Sequence, residues 1–291
     1  MIEKINFEGL PDCYRIFNDK MELIVTSGVG PRIVRFGFIG QQNEFLSHGI
    51  RGVAGHRLWH APEERPRSYI PDKNPVAVEQ QETFIRFTSP VEAETGIQKE
   101  MDFPLSPDGN HVTVTHRLYN RGLWPVELAP WALSVMAPGG KSIVPLPPRR
   151  PSSAGNLLPT SLLAIWEYSD FTDRRFKIGR NYFILGQDTK AAGPLKIGVM
   201  DTNNWAAYWN KGHLFLKTFE YKKGAAYPDF GCSVEIFSGL DKLELETVAP
   251  LTKLQPGMAV EHKEEWYLFG DVPEPQADSD IEQNILPLIH I

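Results

Sequence analysis

The stretch CSVEIFSGLDKLELETVAPLTKLQPGMAVEHKEEWYLFG, residues 232–270, decides the fold class. It holds three extended runs, CSVEIFS (232–238), KLELETVAP (242–250) and VEHKEEWYLFG (260–270), joined by short turns such as Leu254-Gln255-Pro256-Gly257. Alternation of apolar and polar residues with a period of two marks a strand with two different faces. In KLELETVAP, Leu243 and Leu245 alternate with Glu244 and Glu246, so a strand sends both glutamates to one face. An edge strand facing water reads the same way. The context favours a functional surface: Glu235 in CSVEIF and Trp266 in EEWYLF are expected on neighbouring strands of the same sheet.

Working outward, strand signals dominate the chain. LIVTS (23–27), RIVRFGFI (32–39), TFIRFTS (83–89), HVTVTHRLYN (111–120), VELAPWALSVM (126–136), NYFILGQ (181–187) and LKIGVM (195–200) are short, rich in β-branched or aromatic residues, and bounded by turn formers. AAYWNKGHLFLKTFEY (206–221) reads as a hairpin around Asn-Lys-Gly. Turns recur about every ten residues, and 24 Gly with 24 Pro suit an all-β sandwich better than a βαβ repeat. Only SLLAIWEYSD (161–170) and the tail SDIEQNILPLI (279–289) are expected to be helical. The Pro-rich IVPLPPRRPSS (143–153) reads as a surface loop, and no boundary divides the chain. The expectation is one domain over 1–291, with its core at about 5–270 and a C-terminal tail at 271–291.

Composition narrows the function. A net charge of −6 supplies no basic stripe for a phosphate backbone, which argues against nucleic acid as a partner. The N-terminal MIEKINFEGLPDCYRIF lacks the pattern of a signal peptide, and no apolar stretch approaches the roughly 18 residues of a membrane span, so a cytoplasmic location without membrane partners is expected. Cys13 and Cys232 are far apart and without CxxC spacing, and read as reduced structural thiols. HExxH, P-loop and GxSxG motifs do not occur, and no cofactor is expected. His56 and His60 are four apart outside any helix, so no metal site is expected either.

Polar and aromatic residues gather in GVAGHRLWHAPEERPRSYIPD (52–72), too rich in Gly and Pro for a helix. Sugars are recognised by planar donors and acceptors around their hydroxyls and by an aromatic face against the ring, which makes Arg57, Trp59, His60 and Glu63 suitable residue types. A polar surface loop with Trp59 plugged into the core is the competing account. Trp131, on the run 126–136, is a core residue by default or else a stacking platform. His116 shares a face with Val112, Val114 and Leu118 and reads as a core histidine. Lys177, Arg180, Lys196 and Lys217 are expected on solvated faces, with Lys217 the one whose alternating strand could turn it inward.

Together, GPRIVRFGFIGQQNEF, GHRLWHAPE, LYNRGLWPVELAPWAL and LELETVAPLTKLQPG with a trailing EEWYLF resemble the galactose-mutarotase-like superfamily, and within it a bacterial branch designated a domain of unknown function. The resemblance runs over about residues 5–270 and implies a β-supersandwich of two large, mostly antiparallel sheets, with a small-molecule carbohydrate across the concave one. It also implies aldose 1-epimerase chemistry, in which a glutamate takes the anomeric proton and a histidine protonates the ring oxygen. Leu245-Glu246-Thr247 matches the family's Leu-Glu-Thr context, which makes Glu246 the expected base with Glu244 in reserve, and Arg57 corresponds to a sugar-binding arginine. The family's histidine slot, however, holds Trp131, whose indole does not titrate near neutrality. His60, or else His56, is then the nearest candidate acid.

Three functions follow for one groove containing Arg57, Trp59, Glu63, Trp131, Glu235, Glu244 and Glu246. The first is a mutarotase-like enzyme with Glu246 as base and His60 as acid. The second is a non-catalytic carbohydrate-binding or sensing protein. The third is a glycosidase or lyase with Glu63 or Asp229 as second carboxylate, since Glu244 and Glu246 on one strand cannot readily flank a glycosidic bond. The sugar's identity, its charge and the oligomeric state stay open.

Overall fold

The computed structural model describes residues 1–47, 54–70, 72–190 and 193–289, so Gly52, Val53 and Pro71 of the polar cluster fall outside the described residues. These residues form two antiparallel sheets, of eleven and ten strands. The first runs, from one edge, through Ile2–Phe7, Leu10–Phe17, Met21–Thr26, Arg32–Phe38, His56–Ala61, Val126–Met136, Leu243–Val248, Val234–Ser238, Leu195–Val199 and Leu163–Ile165, with Thr252–Leu254 paired to the start of Val126–Met136. The second orders Phe176–Ile178, Tyr182–Gly186, Lys141–Pro145, Trp205–Asn210, His213–Phe219, Ala259–Phe269, His111–Asn120, Ile97–Pro104, Phe84–Thr88 and Ala77–Gln80. The expected supersandwich is therefore what forms.

The sheets meet through the apolar half of each alternating strand. Phe36, Phe45, Leu58, Ile236 and Leu245 of the first face Trp266, Phe215, Val114 and Leu118 of the second in one buried core. Aromatic edges interlock there, with the Trp266 ring centroid 5.4 Å from Phe36 and 5.5 Å from Phe45. The hairpin expected at Asn-Lys-Gly closes between Asn210 and His213, and both turn residues, Lys211 and Gly212, have positive φ, as a two-residue turn matching the strand twist requires.

Three expectations of secondary structure and sheet membership need correction. SLLAIWEYSD is not helical: Leu163–Ile165 adds an edge strand to Leu195–Val199, because pairing with an open sheet edge satisfies its backbone more completely than an isolated helical turn would. The tail is helical at Asp278–Asn284, as expected. The start of the Pro-rich segment is a strand, Lys141–Pro145, rather than loop. His56–Ala61 is a central strand inside the Gly- and Pro-rich cluster, its punctuation lying at the ends. Trp266 does not share a sheet with Glu235; it projects from the second sheet into the core.

The core also holds a polar network. Glu264, fully buried, accepts from Lys217 Nζ at 3.0 Å, Thr247 Oγ1 at 2.5 Å and Trp266 Nε1 at 2.8 Å. His262 Nε2 meets Thr247 Oγ1 at 2.8 Å, and His56 and His116 share a contact of 2.8 Å between their Nε2 atoms. His116 is thus a satisfied core histidine, whereas Lys217 is buried rather than solvated, its ammonium drawn inward by the Glu264 carboxylate. His56, His116 and Glu264 lie close enough to suggest a metal cluster. Their chemistry does not suit one, because the Glu264 oxygens already serve three donors and the Lys217 charge would oppose a dication there. Burial depresses the pKa of all three imidazoles, that of His262 to about 3, so they are neutral.

Removing one partner of a buried ion pair strands the other. Lys217→Met is therefore expected to lower unfolding free energy by about 3–5 kcal/mol in denaturant titration, and the Lys217→Met/Glu264→Gln double variant to recover a large part of that loss. A double variant no more stable than the single one would show that the pair is not the relevant unit.

Candidate functional site

On its outward face the first sheet carries charge where its inward face carries the core. Strand register fixes the arrangement. Leu133 pairs with Arg57 on one side and with Glu246 on the other, and Glu246 pairs with Glu235. These residues therefore stand in one row across the strands, spaced about 4.8 Å apart per strand. Trp59 and Trp131 form an adjacent pair in the same sense, their rings 5.5 Å apart and edge to face. Above this face lies a groove of about 830 Å³, lined by Arg32, Arg57, Trp59, Glu63, Tyr69, Trp131, Leu133, Tyr168, Lys196, Glu244 and Glu246, among others. The segment after His56–Ala61 folds back to supply Glu63 and Tyr69 as a wall, and the Tyr69 hydroxyl donates to the Glu63 carboxylate.

Glu244 and Glu246 do not lie on an edge strand. Leu243–Val248 is central and buried along its whole length, since loops cover the groove face and the second sheet covers the other. Burying carboxylates is costly unless they are paired, and Lys196 supplies the partner. Its Nζ lies 2.7 Å from Glu235 Oε2, 3.2 Å from Glu246 Oε2 and 3.8 Å from Glu63 Oε2, sandwiched against the rings of Trp131 and Trp166. Burial alone would lower the Lys196 pKa, but Glu235 and Glu246 outweigh it and hold the ammonium charged. Two buried carboxyls share that one cation. Burial pushes Glu246 above the ordinary carboxylate range, against the pull of Lys196, and pushes Glu235 well above it.

The two oxygens of Glu246 differ. Oε2 accepts from Trp131 Nε1 at 2.8 Å as well as from Lys196. Oε1 is buried with no hydrogen-bond partner among the described residues. A buried acceptor without a donor costs about 1–3 kcal/mol, a cost that a ligand hydroxyl would relieve. Glu244 is held differently: burial raises its pKa, but Lys242 at 2.6 Å and Arg57 at 3.6 Å bring it below the ordinary value. Arg57 also lies over the Trp59 ring at 4.1 Å, which fixes its planar fork.

The structure thus brings Arg57, Trp59, Glu63, Trp131, Glu235, Glu244 and Glu246 to one face. It separates His60 from them. On His56–Ala61, Arg57 and Trp59 face the groove, whereas His56 and His60 alternate to the opposite side. His60 sits 3.5 Å from Glu92, in a smaller cavity of about 220 Å³ with Arg67 and Thr95, and His56 lies in the inter-sheet core. Neither imidazole reaches Glu246, so the expected acid is displaced by strand alternation. Sequence reasoning also missed Lys196 and Arg32. Lys196 carries a usable signal: in LKIGV it alternates with Leu195 and Ile197, so a core-facing strand must turn it outward with Gly198. Cys13 and Cys232 are free and buried.

The sequence matches no protein-family model and no curated protein. Solved structures do match. A candidate aldose 1-epimerase from Escherichia coli K12 superposes with a TM-score of 0.62 at 11% identity, covering 89% of this chain and 99% of that one. A galactose mutarotase-like protein from Clostridium acetobutylicum gives 0.58 at 11% identity, with coverage of 93% and 98%. Another from Lactobacillus casei gives 0.57 at 10% identity, with 88% and 100%. The chain has the galactose mutarotase-like fold. Within that fold the groove lies on the outward face of the larger sheet, and no helix among the described residues is long and apolar enough to cross a membrane.

Lys196 is the keystone of this groove, and its removal has a predictable pH signature. In Lys196→Met, Glu235 and Glu246 lose their cation, so their folded pKa values rise further above the unfolded value of about 4.3. The native state then holds protons that the unfolded chain releases, and stability falls as pH rises through that window. The deficit of Lys196→Met relative to the parent, read from Tm, is expected to grow from pH 5 to pH 8. A deficit independent of pH would contradict the pairing.

Proposed function

We propose that the protein is a mutarotase-like enzyme acting on a sugar or sugar derivative, with Glu246 as general base. The observation that carries the reading is the Glu246 carboxylate itself: one oxygen fixed by Trp131 and Lys196, the other bare and buried under a groove walled by aromatic rings. Such a base is oriented before substrate arrives, and its raised pKa makes it stronger than an exposed glutamate. Trp59 and Trp131 give the groove an apolar wall for a pyranose ring, while Arg57 and Glu244 offer planar donors and acceptors to its hydroxyls.

Lys196, whose ammonium lines the groove beside Glu246, takes the acid role; the carboxylates that hold it charged make it a weak acid, so its transfer is the slower of the two. Glu246 Oε1 removes the proton from the anomeric hydroxyl, the bond between the anomeric carbon and the ring oxygen breaks, and the ring oxygen receives a proton from the Lys196 ammonium. The open aldehyde rotates about its bond to the next carbon. Closure by the reverse transfers returns each proton and gives the other anomer. Glu235 stands 2.7 Å behind Lys196 and orients the ammonium for that transfer.

The expected result is anomer interconversion above the spontaneous rate in polarimetry or exchange NMR on a panel of aldoses. Glu246→Gln should reduce it by about 10²–10⁴-fold, the usual contribution of a positioned base. The acid limb of the pH–rate profile should lie above pH 4.5, because Glu246 must be ionised and its pKa is raised. A second reading has its own support: Trp131 stands where the resemblance places a titrating histidine, which suits a binding or sensing protein. Calorimetric sugar binding that depends on Arg57 and Trp59, with no interconversion, would replace the first reading with this one.

A further inference from the structure

The row of groove residues does not end at Arg57. Ile33 pairs with His56, which brings Arg32 beside Arg57 on the next strand, and Thr26 pairs with Arg32 beyond it. The row across the groove face is therefore Arg32, Arg57, Leu133, Glu246 and Glu235, with two guanidinium groups at one end and two carboxyls at the other. At about 4.8 Å per strand, Arg57 stands about 10 Å and Arg32 about 14 Å from the strand that carries Glu246. Leu133, apolar and between them, forms the floor on which a ring can rest.

At the arginine end a buried donor is left unused. Arg32 is 9% exposed and lines the groove, and its Nε is buried without a hydrogen-bond partner among the described residues. Its ion pair is with Asp72 at 3.7 Å, a carboxylate that Lys99 already holds at 3.0 Å. Lys73 lines the same end. Burial lowers the Arg32 pKa; Asp72 opposes that fall, and the neighbouring Arg57 charge adds to it. An anion placed between them would relieve that repulsion and satisfy the bare donor, and the planar fork of an arginine suits the paired oxygens of a carboxylate or phosphate.

We propose that this end of the groove is an anion subsite, and that the preferred ligand is a sugar bearing a carboxylate or phosphate on a carbon remote from its anomeric centre. The inference rests on the reading of Glu246 as the anomeric end. The ring then lies over Leu133, with its anomeric hydroxyl at Glu246 and its anionic group between Arg32 and Arg57.

Calorimetry with D-glucose, D-glucuronate, D-glucose 6-phosphate and inorganic phosphate tests it, each against the parent, Arg32→Gln and Arg32→Lys proteins. The parent is expected to bind one of the two anionic sugars about 10- to 100-fold more tightly than glucose, the range of a charge-assisted hydrogen-bonded contact. Glucuronate and the 6-phosphate decide between carboxylate and phosphate as the group recognised. That preference should shrink at least about tenfold in Arg32→Gln and weaken with added salt. Arg32→Lys, which keeps the charge and loses the fork, should be intermediate, and it serves if the glutamine variant does not fold. Equal affinity for neutral and anionic sugars, or a preference untouched by both variants, overturns the subsite. An Arg32-dependent preference without anomer interconversion keeps the subsite and removes the enzymatic reading; interconversion of glucose without any preference for anions does the reverse. No binding by any probe overturns both.

Discussion

Everything at the groove depends on one ammonium ion. Lys196 sits out of water between Glu235 and Glu246, and without it the outward face of the central strands would have to bury two carboxylates against aromatic rings. Desolvation makes that arrangement expensive, and the cation offsets it only in part, because two negative groups meet a single positive one. The remainder appears as raised carboxyl pKa values and as a Glu246 oxygen with nothing to accept. A protein selected for stability alone would place apolar residues there, as the same strand does on its inward face with Leu243 and Leu245. The stored electrostatic cost is what sets the groove face apart from the apolar face behind it.

The two sheets divide the labour. The second sheet contributes Trp266, Phe215 and the Lys217–Glu264 network, which anchor the inward face and hold the register of the central strands. Because register is fixed, residues far apart in the chain come into line: Arg32, Arg57, Leu133, Glu246 and Glu235 are neighbours only through strand pairing. A slip of one residue in Leu243–Val248 would turn both glutamates into the core and both leucines into the groove.

Much of this was legible in the chain. The alternation of Leu243, Glu244, Leu245 and Glu246 gave the face of the glutamates, and the run 126–136 gave its strand to the residue. What stayed hidden was mostly burial of charge. A lysine in a strand reads as solvated because most are, and nothing local distinguishes Lys196 or Lys217 from an exposed residue until loops and the facing sheet are in place. His60 was misplaced for another reason. The composition of residues 52–72 grouped it with Arg57 and Trp59, whereas strand geometry sends alternate residues to opposite faces, and the strand at His56–Ala61 was masked by flanking Gly and Pro. SLLAIWEYSD failed because edge pairing, a long-range effect, overrode local helical preference.

The central claim is that a pyranose ring rests on the outward face over Leu133 with its anomeric oxygen at Glu246. A crystal structure of the protein soaked in a hexose, refined with the sugar's occupancy free, tests this most directly. The account predicts ring density between Trp59, Trp131 and Leu133, with the anomeric oxygen within hydrogen-bond distance of Glu246 Oε1. Sugar density confined to another surface, with the Glu246 oxygen still unpartnered, would contradict it.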